Sequence, residues 1–189
     1  QAVVSRGRSA YDGGMMQTLI EPADPLGLAA GQLVQEMVVE IPPRYGEVLD
    51  AAAAAERIAA VLAANAAFLG ERSVFLLAVA EGQAIGCGGI QPIALGDDQG
   101  TGPLTGEVKR MYVVRGWRRQ GVGAAILAAL EEKAQAFGYQ RLVLETGDRQ
   151  PEAAGLYMAG GWVRIAPFEP YADDPTSVCF EKWLQPPNA

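Results

Sequence analysis

Arg118-Arg119-Gln120-Gly121-Val122-Gly123-Ala124 links an alternating apolar stretch over 106–114 to an amphipathic run carrying Ile126, Leu127, Leu130, Ala134 and Phe137. Strand, glycine-containing loop and helix therefore follow one another here. Glycines let the backbone turn tightly and present successive N–H groups to an anion, and the helix N-terminus adds its positive end. The arginines supply formal charge, so a pyrophosphate is the natural guest. The alternative is a plain glycine-rich turn with solvated arginines. A P-loop is excluded, since G-x-x-x-x-G-K-[ST] does not occur in the chain. A Rossmann site has Gly121-x-Gly123 and Glu145 at about the right 20-residue remove in its favour. Against it, Ile126 stands where the third glycine belongs, and the strand follows a hairpin in mid-chain.

Upstream, 74–80 and 84–93 read as strands joined by Glu81-Gly82-Gln83, a hairpin signal. A Gly- and Asp-rich loop over 95–105 leads into the central strand. Earlier still, Asp24-Pro25 is expected to cap and open a helix that runs to Pro42-Pro43. A second, alanine-rich helix begins at Asp50 and places Ile58, Val61, Leu62, Phe68 and Leu69 on one face. A short strand is expected at 16–20. Residues 1–14 show no sustained period and read as a flexible leader or expression remnant before a domain over 15–189. Downstream, Gly138 closes the helix, 141–145 is a strand, 151–159 a helix, and 162–166 and 177–183 the last strands. The order β-α-α-β-β-β-α-β-α-β-β predicts a mixed α/β sheet with helices on both faces.

At 189 residues the chain fits one domain. Its 15 basic and 22 acidic residues leave a net charge of −7, which argues against a general nucleic-acid partner. No apolar run is read as approaching the ~20 residues of a membrane span, so no membrane partner is expected. Cys87 and Cys179 sit in apolar strand-like runs and read as buried free thiols suited to a reducing cytoplasm. The chain has no histidine. Ser-His-Asp and Cys-His triads and H-E-x-x-H zinc sites cannot be built, and no metal is expected. Any general base must be a carboxylate, lysine, tyrosine, terminal amine or water.

Arg118-x-x-Gly121-x-Gly123 resembles the [QR]-x-x-G-x-[GA] signature of the GNAT superfamily of acetyltransferases. Val108-Lys109-Arg110-Met111-Tyr112-Val113 before it is similar to that family's central strand, and Leu156-Tyr157 with Gly160-Gly161-Trp162 comes after it as in the family. The likeness is detailed over 106–162 and continues as element order over most of the chain. The runs 144–153 and 171–175 resemble a group of small, largely uncharacterised bacterial members.

The resemblance implies the GNAT acyl-CoA N-acyltransferase fold, with acetyl-CoA in a wedge where strands 106–114 and 141–145 splay apart. Backbone groups of Met111, Tyr112 and Val113 would pair with the pantetheine arm. Arg118, Arg119, Gln120, Gly121, Val122, Gly123 and Ala124 would take the pyrophosphate. Gln150 stands where many relatives place an asparagine against pantetheine. Tyr157 matches a tyrosine that protonates the departing thiolate; its alternative is a packed core aromatic. Glu107 lies where several relatives hold a general base; its alternative is a surface carboxylate paired with Lys109. Arg44, Tyr45, Asp173 and Asp174 fall in segments that line the family's acceptor cleft, or else form solvated turns. An arginine beside acidic residues would suit an amine that also bears a carboxylate. The expected reaction is acetyl transfer from acetyl-CoA to a primary amine, on a small molecule rather than a protein, by direct attack through a tetrahedral intermediate. A non-catalytic acyl-CoA-binding module is the alternative, with a Rossmann oxidoreductase third and a homodimer left open.

Overall fold

Eight strands form one sheet in the order β1-β2-β3-β4-β5-β6-β8-β7 in the computed structural model, which describes residues 9–12, 17–95 and 102–184. The strands are β1 (Ser9–Asp12), β2 (Gln17–Pro22), β3 (Val74–Ala80), β4 (Gln83–Pro92), β5 (Thr105–Val113), β6 (Arg141–Gly147), β7 (Val163–Ile165) and β8 (Ser177–Trp183). The helices are α1 (Leu28–Glu40), α2 (Ala51–Ala64), α3 (Val122–Ala136) and α4 (Pro151–Ala159). Of the loop expected over 95–105, residues 96–101 lie outside the described residues, as does Met16 of the first expected strand.

Alternation along β3 sorts the helices onto two faces. Phe75 and Leu77 join Ala30 and Leu33 of α1, together with Phe68, Cys87 and Tyr112. Leu76, Ala78 and Ala80 face the other way, onto Val122, Ile126, Leu127 and Leu130 of α3 and Tyr157 of α4. The mixed sheet with helices on both faces is thus present as expected. α3 sits close because β4 is built from small residues. At Gly88 a Cβ would lie 2.7 Å from Met111 Sδ and 2.9 Å from Ile126.

Several expectations need correction. Asp24-Pro25 does not start a helix. Asp24 Oδ1 accepts the amide of Leu26 at 2.9 Å, which closes a turn, and α1 begins three residues later with Gly27 as its N-cap. Asp50 does cap α2, accepting from Ala53 N at 2.8 Å. That helix stops at Ala64, and the 3-10 turn Asn65–Leu69 shifts its residues off the helical face. Phe68 is therefore buried while Leu69 is 61% exposed. The stretch Ala51–Leu69 is long and apolar enough, by length and composition alone, to cross a membrane, contrary to the expectation that no such run exists. Within the expected flexible leader, Ser9–Asp12 forms β1, antiparallel to β2. Edge pairing uses backbone groups, so it needs no side-chain period to announce it.

Two irregularities shape the centre of the sheet. Pairing of β4 with β5 steps from Cys87↔Tyr112 to Gly89↔Lys109, so β5 carries one extra residue. Arg110 lies in this bulge at φ 60°, and such insertions bend a strand. The parallel pairing of β5 with β6 runs from Thr105↔Arg141 to Val108↔Leu144 and stops there. Beyond it, β5 stays paired only with β4 and β6 only with β8. The two strands diverge, leaving a wedge in the sheet.

Candidate active site

One side of the wedge opens toward the start of α3. Gly121, its N-cap, has φ 83°, and Arg119 has φ 60°. Successive left-handed and helical residues form a concave set of N–H groups suited to an anion. No side chain caps α3, so its first amides have no intrahelical partner. Val122 is buried in the core and fixes this turn. A Cβ on Gly123 would come 3.2 Å from Leu156 of α4, so the loop runs close under α4. Gln120 braces it by donating to Gly116 O at 2.9 Å. Arg119 and Ala124 are exposed.

Arg118 is committed elsewhere. Its Nη1 and Nη2 donate to the two carboxylate oxygens of Glu40 at 2.6 and 2.7 Å, and its Nε to Val113 O at 2.7 Å. The guanidinium also lies 5.4 Å from the centre of the Tyr112 ring. A forked pair of this geometry is strong and directional, so Arg118 ties the loop to α1 instead of presenting its charge at the start of α3. The Val113 carbonyl, expected to meet pantetheine, already accepts one hydrogen bond from Arg118. Met111 packs toward α3 and Tyr112 toward α1, leaving their backbones on the strand edge that β6 has abandoned.

Glu40 is a hub. Besides Arg118 it accepts from Tyr112 at 3.1 Å and Arg44 at 3.3 Å, and the hydrogen bonds from Arg118 foremost hold its pKa below the usual value. Arg44 also pairs with Glu152 at the start of α4. Tyr45 lies over the end of β6, where a Cβ on Gly147 would collide with its hydroxyl. That hydroxyl accepts from Arg149 N at 3.3 Å and Gln150 Nε2 at 3.4 Å. The end of α1 is thereby fastened across the wedge to the β6–α4 junction, and the Gln150 amide contacts Tyr45.

On the α1 face of the sheet the wedge floor is ionic. Glu107 is only 3% exposed. Its Oε1 accepts from Lys109 Nζ at 2.8 Å and the Tyr171 hydroxyl at 2.7 Å, and its Oε2 from Gln91 Nε2 at 3.1 Å. Lys109 also donates to the Tyr171 hydroxyl. The pair with Lys109 expected at the surface is real, but its Glu107 end is buried and its Lys109 end only half-buried. Tyr171's pKa is raised, by burial first and by Glu107 next. Glu145 is the first β6 residue past the parallel pairing. It accepts from Ser177 Oγ at 2.9 Å, and burial raises its pKa against the opposing pull of that bond and of Lys109.

Tyr157 is 4% exposed, with its ring 6.1 Å from Trp162 and 5.7 Å from Phe180. Its pKa is raised by burial and then by the charge of Glu145, so the phenol is protonated at neutral pH. Asp173 and Asp174 make no hydrogen bond to the floor, though, after burial, the charge of Asp174 helps to raise the pKa of Glu145. Both are exposed, and Asp174 caps its own turn through Thr176 N and Oγ1 at 2.8 and 2.7 Å. Tyr171, from the same loop, takes the inward position. Sequence reading passed over Tyr171, Lys109 and Glu145 as site residues. Strand alternation from Glu107 to Lys109, and the glutamate two residues after Val143, were the available signals. Among the described residues no cluster of three or more acidic or cysteine side chains is arranged to hold a metal ion.

The profile of the Acetyltransferase (GNAT) family matches residues 35–161. An IAA acetyltransferase of Azospirillum brasilense is 39% identical over 110 residues, spanning 58% of this chain and 67% of that protein. A solved Klebsiella pneumoniae structure described as an acyl-CoA N-acyltransferase is 27% identical, with TM-score 0.63, covering 90% of this chain and 99% of that one. A Salmonella typhimurium acetyltransferase solved with acetyl-CoA shares the fold at TM-score 0.62 and 17% identity, over 91% and 96% of the two chains. The matched span contains the wedge, the 118–124 loop and Tyr157, and on these grounds the chain belongs to the GNAT family of acetyltransferases.

Proposed function

We propose that the protein transfers the acetyl group of acetyl-CoA to a primary amine on a small molecule, by direct attack of the amine on the thioester. The observation that carries this reading is the wedge. Parallel pairing ends at Val108↔Leu144, and the uncapped N-terminus of α3 with left-handed Gly121 stands at its edge. The amides of Gly121, Val122, Gly123 and Ala124 suit a pyrophosphate, and the unpaired edge of β5 suits the amide-bearing arm as an added strand. Bound acetyl-CoA supplies the activated acyl group and a thiolate leaving group.

The chain's own residues then position and move protons. Tyr157, protonated at neutral pH, donates to the departing sulfur. Glu145 lies where the strands part and is made more basic by burial, so it takes the proton that the amine must lose. Glu107, with both oxygens occupied, acts with Lys109 and Tyr171 as a fixed ionic floor that orients the amine. This moves the base expected at Glu107 to Glu145.

Thiol release from acetyl-CoA against a panel of amines, amino acids, aminoglycosides and lysine peptides tests the reading. Turnover of at least one small amine, with an N-acetyl product seen by mass spectrometry, is expected. Tight acetyl-CoA binding with no transfer to any member would instead support a non-catalytic acyl-CoA-binding module.

A further inference from the structure

Arg110 has no part in the mechanism above, yet its setting is the most specialised in the cleft. It occupies the β5 bulge at φ 60°, where a non-glycine residue is uncommon and such conformations cluster at functional sites. Its Nε donates to Asn65 Oδ1 at 2.9 Å. Asn65 is 0% exposed and donates Nδ2 to Pro25 O at 3.2 Å, which fixes the orientation of its amide. The guanidinium is partly buried, and it lies within electrostatic reach of Tyr171 and Glu107.

The charges of the floor do not cancel in pairs. Lys109 bridges Glu107. Arg110 and Glu145 enter no ion pair among the described residues. One cation and one anion are therefore left over. Among the described residues no side-chain nitrogen is both occluded and unbonded, so the terminal nitrogens of Arg110, for which only the Nε bond to Asn65 is formed, keep some contact with solvent. A fork of two N–H groups, held from behind and short of an anion, matches a carboxylate.

We infer that Arg110 is the receptor for a carboxylate on the acceptor, which makes the acceptor an amino-acid-like zwitterion whose ammonium faces Glu145. The inference deepens the acetyl-transfer reading and rests on it. It also moves the carboxylate contact expected at Arg44 to Arg110, since Arg44 is neutralised by Glu40 and Glu152.

The test uses the L-amino acids, each beside its carboxamide and its decarboxylated amine. Calorimetric titration into the protein, alone and saturated with CoA, reads recognition without turnover, and thiol release then reads kcat and KM. At least one amino acid should bind and react with kcat/KM about tenfold or more above its carboxamide, mostly through KM. Arg110→Gln should shrink that ratio to within about threefold, and Arg110→Lys should restore part of it, since a point charge remains without the fork. A melting curve and acetyl-CoA affinity for each variant check that fold and wedge survive. If no amino acid is favoured over its carboxamide in either assay, or if Arg110→Gln keeps the preference, the inference is overturned. Carboxylate-dependent binding without acetyl transfer would uphold the receptor and sink the acetyl-transfer reading instead.

Discussion

Replacing Arg118 by Gln separates two roles that the family signature leaves fused. In the structure the guanidinium makes two charged bonds to Glu40 and one to the Val113 carbonyl, with side chains 27% and 23% exposed. Charge-assisted bonds are each worth about 1.5–3 kcal/mol. Partial exposure lowers the sum, and Glu40 keeps Arg44 and Tyr112 as partners. A net loss of about 2–3 kcal/mol is reasonable, which for a chain of this size lowers Tm by roughly 4–12 °C. The sign with pH comes from Glu40, whose folded pKa is depressed. The stability contributed by the pair is present above the unfolded value of about 4.3 and is lost as pH falls through the lower folded value. Melts of wild type, Arg118→Gln, Glu40→Gln and the double variant should give a coupling of about 1–2 kcal/mol at neutral pH that fades in acid. Acetyl-CoA affinity should fall by less than about tenfold, or ~1.4 kcal/mol. A Tm unchanged within about 1 °C, with affinity down a hundredfold, would show that Arg118 serves the phosphates and that the brace is incidental.

Tyr157→Phe keeps the ring between Trp162 and Phe180, so Tm should hold while kcat falls about a hundredfold or more; an unchanged kcat would make Tyr157 a packing residue only. Glu145 carries a raised pKa, so kcat/KM for the best acceptor should drop on the acid side with a midpoint above the ordinary ~4.3. Glu145→Gln should remove that limb and leave a rate that recovers in alkali, where free amine is abundant. An unaltered profile would return the base to Glu107 or to water. Glu107→Gln should raise KM for the acceptor more than it lowers kcat, because it loosens Lys109 and Tyr171; the kcat to KM split decides.

Much of the fold was legible because its signals are local. Asp50 followed by alanines, Glu81-Gly82 at positive φ and Gly138 after the α3 stripe each act within a few residues. Where the reading slipped, a competing local bond won, as when Asp24 closed a turn on Leu26. Of the candidate site, the turn into α3 was legible, because the left-handed conformation of Gly121 is a local demand. The role of Arg118 was not legible, because a guanidinium beside a glycine-containing turn gives no hint of Glu40, which lies 78 residues earlier. The ionic floor draws Gln91 from β4, Glu107 and Lys109 from β5, Glu145 from β6 and Tyr171 from a loop. Regular β4–β5 register sets Gln91 beside Glu107, but Glu145 and Tyr171 reach the same place only through the long-range pairing of β5 with β6 and the Tyr171 hydrogen bond to Glu107.

The central claim is that the wedge and the start of α3 hold acetyl-CoA. Calorimetric titration of acetyl-CoA into wild type and Gly121→Val tests it most directly. Valine is disfavoured at φ 83°, and its side chain would crowd the amides proposed to receive the phosphates. The account predicts saturable one-to-one binding by the wild type and an affinity at least about tenfold weaker, ~1.4 kcal/mol, in a variant whose melting curve remains cooperative. Equal affinity in the two proteins, or no binding by the wild type, would contradict it.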